Sequence, residues 1–307
     1  MVDYLAIKDV SCSVSSKFSS YLTPIFFLKF PVVRAGMVSL KAFVSTVREK
    51  TNLARRIGKL RSCTLTHDMG EVEIEEYISR YFLPIDLDLD LYLFYMHACV
   101  RRVMFVLDYR RSGRVSISDF LTISDPPVPY DSFLKLYTRY LELDTDGNGM
   151  LTREELMRYP SAILSGYAVE RIYQEHDTFE NEMDFKGYLD FVFVLENPAH
   201  PSCIRYVWKL LDTNKSGKVG FSELQPFHAC ILNTLSMITK QPTKVAPIDL
   251  FHETLDALQI HNRSFFTLND MLTSPSVSAV MSMLLDAHAF YLYDNRESTP
   301  ITCTMTL

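Results

Sequence analysis

The sequence predicts an all-α protein built as an elongated array of EF-hand pairs, with short two-stranded β links between the loops of each pair. Two observations support this prediction. Residues 144–155 match the EF-hand calcium-loop pattern D-x-[DN]-x-[DN]-G-x5-E at each ligand position. Five further stretches keep the apolar positions of a helix–loop–helix unit, although most of them have lost the calcium ligands.

The loop at 144–155 has a suitable oxygen donor at each position that calcium binding requires. Calcium is a hard cation that takes about six to eight oxygen ligands. The predicted ligands are side-chain oxygens at positions 1, 3 and 5, a carbonyl at 7, a hydroxyl at 9 (directly or through water) and a bidentate carboxylate at 12: Asp144, Asp146, Asn148, Met150, Thr152 and Glu155. Gly149 supplies the sharp turn. An acidic surface loop could match by chance, but seven satisfied positions favour a calcium site.

A second loop, residues 212–223, has a strong apolar frame and fewer charged ligands. Its predicted ligands, with Lys218 acting through its carbonyl, are Asp212, Asn214, Ser216, Lys218 and Glu223. Two carboxylates predict a lower calcium affinity than the three of the first loop, because affinity follows ligand charge. The alternative is a structural EF-hand that keeps its shape without metal.

A third loop begins at Asp108 and carries basic residues where calcium ligands should be. Arg110 occupies position 3, and Arg111 and Arg114 flank the ion position. Three guanidinium groups oppose a dication, so this loop is predicted to be a structural EF-hand.

Three weaker units complete the series. Their predicted starts are Leu65, His176 and Gln259, with Val72, Met183 and Phe266 at position 8. The strand at position 8 needs a neighbour for its backbone groups. Sequence order therefore predicts three pairs: 65 with 108, 144 with 176, and 212 with 259.

Proline-rich stretches at 126–129 and 197–201 suggest where the pairs are divided. The predicted organisation is a poorly defined N-terminal arm, a degenerate pair after it, a central pair with the first calcium loop, and a C-terminal pair with the second. The corresponding ranges are 1–37, 38–127, 128–198 and 199–307.

Composition narrows the functional class. The 307 residues are 48% hydrophobic and 12% aromatic, which is enough for packed cores. A net charge of -6 argues against nucleic-acid binding by phosphate neutralisation. The six cysteines are dispersed, charged residues interrupt the N-terminus, and the longest apolar run, 21–33, is too short for a bilayer. We therefore expect a soluble, reduced, intracellular chain without membrane insertion.

Several motifs outside the calcium pattern resemble one known family. They include Met-Asp-Phe-x-x-Tyr-Leu-Asp-Phe at 183–191, Leu-Glu-Asn at 195–197, and the stretches 140–151, 154–159, 209–212, 100–114 and 293–297. These residues resemble the B-double-prime regulatory subunits of protein phosphatase 2A, and within them the plant Tonneau2/FASS type and its animal centrosomal counterpart. The resemblance runs from about Tyr77 to Glu297.

This resemblance implies a non-catalytic subunit that docks on the helical-repeat scaffold and catalytic subunits of the phosphatase. It also implies targeting to microtubule-organising structures such as centrosomes, basal bodies or cortical arrays, with cytoskeletal adaptor proteins as further partners. Calcium (Ca²⁺) in the loop at Asp144 is then expected to set the structure of a docking surface.

Two other classes of function compete with this one. A free calcium sensor that binds target helices is the main alternative, although sensors usually pair two competent loops and use a methionine-rich groove. An enzyme is not expected, because the sequence has no phosphatase metal motif, P-loop, HExxH or nucleophile elbow.

Overall fold

The computed structural model describes most of the chain as helices joined by short loops. The described residues are 2–11, 22–33, 37–64, 66–84, 87–123, 126–176, 178–240 and 245–295. Within these ranges, four two-residue strands form two paired links between loops. The predicted fold class, an all-α array of helix–loop–helix units, is confirmed.

The chain divides into two compact units, residues 1–68 and 69–307. Among its described residues, the first unit contains three helices: α1 (Tyr4–Ser11), α2 (Pro24–Phe27) and α3 (Leu40–Cys63). Their small core is apolar and is formed by Ile7, Phe26, Phe27, Val38 and Phe43. Part of the segment predicted as an N-terminal arm is therefore helical, whereas the serine-rich stretch after Ser11 lies outside the described residues. The predicted boundaries near 127 and 198 stay predictions.

The second unit begins with the first predicted loop pair. The elements of this pair are β1 (Asp68–Met69), which starts at the last residue of the first unit, α4 (Glu71–Tyr81), α5 (Leu89–Leu107), β2 (Val115–Ser116) and α6 (Ile117–Phe120). Strands β1 and β2 pair with each other. Val115, the predicted position 8 of the loop from Asp108, is buried in β2.

The predicted register of the loop from Leu65 is wrong by three residues. Val72 is 73% exposed on α4, whereas Met69 lies in β1 and is fully buried. Glu73 consequently takes position 12, and its carboxylate accepts the N–H of Gly70 at 2.9 Å. The prediction rested on a glycine at position 6 and a valine at position 8, and both features also occur where a helix begins.

The central pair has the predicted partners and the predicted register. Leu151 and Met183, each at position 8 of its loop, exchange two backbone hydrogen bonds of 2.8 Å. Both side chains are buried. The helices of this pair are α7 (Tyr130–Leu143), α8 (Arg153–Leu156), α9 (Gly166–Glu175) and α10 (Phe185–Glu196).

The C-terminal pair also follows the prediction. Its elements are α11 (Pro201–Leu211), β3 (Val219–Gly220), α12 (Phe221–Thr239), α13 (Pro247–Ala257), β4 (Phe265–Phe266) and α14 (Leu268–Thr273). Val219 in β3 pairs with Phe266 in the antiparallel strand β4. Trp208 packs edge-on against Phe266 with ring centroids 6.1 Å apart.

Two further helices follow the C-terminal pair, α15 (Val277–Leu285) and α16 (Ala287–Asp294). The turn between them returns to the central pair, since the N–H of Ser165 donates to Leu285 and the N–H of Ala287 donates to Ile163. Within the described ranges, no helix is both long and apolar enough to cross a membrane.

Candidate metal centre

The loop at 144–155 begins where α7 ends, with Asp144 as the C-terminal cap of that helix. Two glycines take left-handed backbone conformations, Gly147 at φ 69° and Gly149 at φ 80°. Residues with a Cβ rarely adopt this conformation, so glycine allows the chain to fold back around a central point. The exit helix α8 then starts at Arg153, capped by the hydroxyl of Thr152.

Three carboxylates meet inside this loop. The ligand oxygens of Asp144, Asp146 and Glu155 all lie within 4.8 Å of one another. Among the described residues, no lysine or arginine forms an ion pair with any of the three. Like charges at this separation repel one another unless a cation lies between them. The donor set is hard oxygen, which fits calcium.

Glu155 is the most constrained of the three carboxylates. It is only 4% exposed. Its Oε1 accepts the N–H and the hydroxyl of Thr145 at 2.8 and 2.7 Å, and its Oε2 accepts the N–H of Thr152 at 2.9 Å. Burial raises the pKa of Glu155, but the hydrogen bonds from Thr152 and Thr145 outweigh burial and bring the pKa to about 2. The carboxylate is therefore ionised at neutral pH.

The remaining predicted ligands take part in hydrogen bonds that shape the loop. The side-chain oxygen of Asn148 accepts the N–H of Met150 at 2.7 Å, and its amide nitrogen donates to Asp146 at 3.2 Å. The hydroxyl of Thr152 donates to Oε2 of Glu155 at 3.0 Å. Asn148 and Thr152 thus contact the carboxylate cluster directly, and Met150 contacts Asn148.

Three supporting residues were not predicted from the sequence. Thr145 donates twice to Glu155, Tyr140 donates to the carbonyl of Gly149 at 2.6 Å, and Glu182 of the partner loop accepts from Asn148 at 3.2 Å. The loop pattern leaves position 2 unspecified and cannot show contacts from other elements. Only the pairing of Leu151 with Met183 indicated that residues near 182 would approach this loop.

The loop from Asp212 has the same frame with fewer charges. Asp212 accepts the N–H groups of Ser216 and Gly217, each at 2.9 Å, and the hydroxyl of Ser216 donates to the carbonyl of Lys218 at 2.9 Å. Asn214 also accepts from Ser216 at 2.9 Å. The predicted ligand residues therefore lie around one turn, apart from Glu223 at its end.

Glu223 offers the observation that best fits a cation in this second loop. Its Oε2 accepts the N–H of Gly220 at 2.9 Å, while its Oε1 is buried and has no hydrogen-bond partner among the described residues. A buried carboxylate oxygen without a partner is costly, and a bound cation would satisfy it. The ammonium of Lys218 lies 4.9 Å from the ring centroid of Phe265, where it contacts the aromatic face.

The loop from Asp108 has a similar turn, but its side chains are engaged with one another. Asp108 accepts the N–H groups of Ser112 and Gly113 at 2.8 and 2.6 Å. Asp119, at position 12, accepts the hydroxyl of Ser116 at 2.8 Å. Arg110 at position 3 lies against the ring of Tyr109. These contacts agree with a loop whose shape is held by its own hydrogen bonds.

The partner loop from Gln259 contains its own cation. The guanidinium of Arg263, at position 5, forms an ion pair of 2.5 Å with Asp270, at position 12. Burial raises the pKa of Asp270, but hydrogen bonds from Thr267 and the charge of Arg263 lower it overall. A side chain thus neutralises the carboxylate that calcium would otherwise bind.

These loops and their paired strands define an EF-hand protein. An EF-hand family model matches residues 141–158 and 209–228, which contain the two loops with calcium-type ligands. The fold is also similar to a solved PP2A PR70 holoenzyme chain, with a TM-score of 0.62 at 15% identity over 74% of this chain and 93% of that chain.

Curated relatives give a narrower assignment. The chain is 31% identical to the gamma member of the B'' regulatory subunits of serine/threonine-protein phosphatase 2A from Xenopus tropicalis and from Homo sapiens, over 97% of this chain and 72% and 71% of those proteins. It is 23% identical to TON2 of Arabidopsis thaliana, a probable B'' regulatory subunit of the same phosphatase, over 93% of this chain and 66% of that protein.

The chain belongs to the B'' family of protein phosphatase 2A regulatory subunits. The resemblance to this family is therefore confirmed, while the assignment to the Tonneau2/FASS subgroup stays a prediction. Because the relatives are regulatory subunits, the prediction that this chain is not itself an enzyme is confirmed as well.

Proposed function

We propose that this chain docks on the scaffold and catalytic subunits of protein phosphatase 2A and directs that enzyme to its targets. The supporting observation is the 31% identity to B'' gamma subunits, which extends over 97% of the chain. Similarity of that extent covers every helix–loop–helix unit, so the docking surface is expected to be retained along with the fold.

Reconstitution tests this proposal. The full chain is mixed with purified scaffold–catalytic dimer and run on size-exclusion chromatography, once with calcium and once with a chelator. Co-elution in at least one condition is expected. Failure to co-elute in both conditions contradicts docking. A free calcium sensor would give a different pair of results. Calcium would expose a hydrophobic surface that binds dye, and the chain would not bind the scaffold–catalytic dimer.

We further propose that the loop at 144–155 binds calcium through Asp144, Asp146, Asn148, the carbonyl of Met150, Thr152 and Glu155. The cluster of three carboxylates supports this assignment. Hydrogen bonds from Thr145 and Thr152 keep Glu155 ionised and hold its carboxylate beside Asp144 and Asp146.

A second, weaker calcium site is proposed at Asp212, Asn214, Ser216, the carbonyl of Lys218 and Glu223. The unpartnered oxygen of Glu223 supports it. Trp208 packs on Phe266, whose strand pairs with Val219 of this loop, so tryptophan fluorescence should report calcium at this site. Glu223→Gln should abolish that fluorescence change, whereas Glu155→Gln should leave it; a change that survives Glu223→Gln would place the signal elsewhere.

The proposal also includes targeting to microtubule-organising structures. It rests on the sequence resemblance to the Tonneau2/FASS subgroup, and the chain is less identical to TON2 than to the vertebrate gamma subunits. Cytoskeletal adaptors as partners belong to the same expectation. Imaging of the tagged chain against a centrosomal or cortical microtubule marker tests it, and a uniformly diffuse signal would contradict it.

A further inference from the structure

A cleft with converging basic side chains lies away from both calcium-type loops. It is bounded by α5, the loop from Asp108 and α11, and has a volume of about 270 Å³. We call it the arginine cleft and define it by Arg101, Arg111, Arg205 and Lys209. An adjoining cavity of about 140 Å³ shares Arg101 and Arg111 and adds Lys186. The cleft is several times larger than the roughly 30 Å³ that one liquid water occupies.

Most carboxylates at the arginine cleft are already engaged by the protein. Asp190 is held by Arg101, whose Nε lies 2.7 Å from Oδ1 and whose terminal nitrogen lies 2.5 Å from Oδ2. Asp108 accepts the N–H groups of its own loop, and Asp184 accepts the N–H of Gly187 at 2.8 Å. Glu71, exposed at the edge, is the remaining acidic group of the lining.

The other arginines of the cleft have no such engagement. Among the described residues, neither Arg111 nor Arg205 forms an ion pair with a carboxylate. The guanidinium of Arg205 stacks on Tyr109 at 4.7 Å from the ring centroid, which fixes its plane without using its donors. Four basic residues of the lining, Arg101, Arg111, Arg205 and Lys209, face three acidic ones, Glu71, Asp108 and Asp190, so the cleft carries one net positive charge.

Two buried nitrogen atoms here lack hydrogen-bond partners within the described part of the chain. They are Nε of Arg205 and Nε2 of His176, which lines the adjoining cavity. His176 stacks on Tyr206 with centroids 3.7 Å apart. Burial lowers the pKa of His176 to about 3, and the charges of Lys209, Arg111 and Arg101 act in the same direction. A buried N–H without a partner is costly, and an oxygen atom of a bound anion would satisfy the N–H of Arg205.

We propose that the arginine cleft binds the phosphate monoester of a phosphorylated peptide. A phosphate dianion offers three acceptor oxygens to several guanidinium groups at once, whereas a carboxylate is matched by a single arginine. The apolar walls formed by Met104 and Phe105 offer packing for peptide side chains. A net charge of -6 disfavours extended polyanions such as nucleic acid or an anionic membrane, while a single phosphate responds to the local field.

This inference concerns the chain alone and does not depend on docking to the phosphatase or on calcium. It is tested with the full chain and a fluorescein-labelled peptide mixture that carries one central phosphoserine among degenerate positions. Fluorescence polarisation should show binding at least roughly tenfold tighter than for the same mixture with unmodified serine, a difference of about 1.4 kcal/mol. Inorganic phosphate should compete.

Two variants and one control connect the binding to the cleft. Arg111→Asn suits the left-handed backbone at φ 55°, and Arg205→Gln removes the second guanidinium. Each should remove most of the preference for phosphoserine. Arg114→Gln, which removes an exposed arginine of the same loop outside the cleft, should retain it. Circular dichroism confirms that each variant is folded.

Four results would overturn the proposal. The first is equal binding of the two peptide mixtures, and the second is a phosphoserine preference that survives both substitutions. The third is inorganic phosphate binding as tightly as the phosphopeptides, which would make the cleft a site for free phosphate. The fourth is tighter binding to phosphatidylcholine–phosphatidylserine vesicles that also depends on Arg111, which would make it a membrane contact.

Discussion

Two loops in different pairs satisfy their charges in opposite ways. The loop at 144–155 gathers three carboxylates that no cationic side chain of the described residues pairs with, whereas the loop from Gln259 places Arg263 directly on Asp270. The helical frame around both is the same, with position-8 residues paired between strands or bridges. The comparison shows that a loop can keep the EF-hand frame without a set of calcium ligands. In the loop from Gln259, one arginine supplies the positive charge that calcium would otherwise bring.

The loop from His176 lacks calcium ligands for a different reason, which is the packing of its residues at positions 1 and 12. Its first residue, His176, is packed on Tyr206 and kept neutral by burial. Its position 12 is Gly187, where an added Cβ would lie 2.8 Å from Cγ of Met183. A glutamate at this position would therefore require the side chain of Met183 to shift. The missing ligand is explained by packing.

The largest effect that sharpens the comparison is expected from Glu155→Gln. This substitution removes one charge and the bidentate ligand from the carboxylate cluster. Calcium affinity at this loop should therefore fall by roughly a hundredfold or more, since substitutions of residues that only support metal ligands already cost about 10- to 100-fold. Isothermal calorimetry measures it. Glu154→Gln changes an exposed neighbour of the same charge and should have little effect. Equal calcium uptake by Glu155→Gln and wild type would remove the site assignment.

The next effect concerns His176 and acid stability. Its folded pKa of about 3 lies below the ordinary value of 6.5, so the unfolded chain binds the extra proton and stability falls as pH drops from 6.5 towards 3. At pH 5 this costs about 2 kcal/mol relative to neutral pH. His176→Phe keeps a ring on Tyr206 and should lose about 2 kcal/mol less between pH 7 and pH 5 in urea unfolding. Parallel pH profiles of variant and wild type would contradict the assignment.

The smallest effect tests the internal cation. Arg263→Met should destabilise the chain by about 1 kcal/mol, because Asp270 loses a partly exposed ion pair. Asp270→Asn in the same background should recover part of the loss, since no charge is then left without its partner. A double-mutant cycle in urea unfolding gives the coupling energy. A coupling energy of zero would mean that Arg263 does not stabilise Asp270 in place of a calcium ion.

The fold was largely predictable because its signals are local. The apolar positions around Asp144 and Asp212 recur at fixed offsets, and Leu151–Met183 and Val219–Phe266 pair in the predicted register. The loop from Leu65 failed at Met69, because no acid at position 1 anchored the pattern there and Val72 offered an equally good match. The small core joins Phe26 and Phe43, which are distant in sequence, and no local pattern indicates that they meet.

The sequence predicts the ligands of the candidate site but not the residues that hold the ligand loop in place. Oxygen donors at odd positions follow directly from the loop pattern, whereas the hydrogen bond from Tyr140 to Gly149 and the approach of Glu182 need the folded chain. The arginine cleft was unpredictable for the same reason. Arg101, Arg111 and Arg205 come from separate stretches, and only packing of α5 against α11 brings them to one cavity.

The aspartate that begins each of three loops has a consequence for how such loops are recognised. Asp108, Asp144 and Asp212 all accept the backbone N–H groups of positions 5 and 6. An aspartate at position 1 is therefore a signature of loop shape, which can persist where metal ligands have been lost. Position 3 distinguishes the same loops more sharply, because it is an arginine in the first, an aspartate in the second and an asparagine in the third.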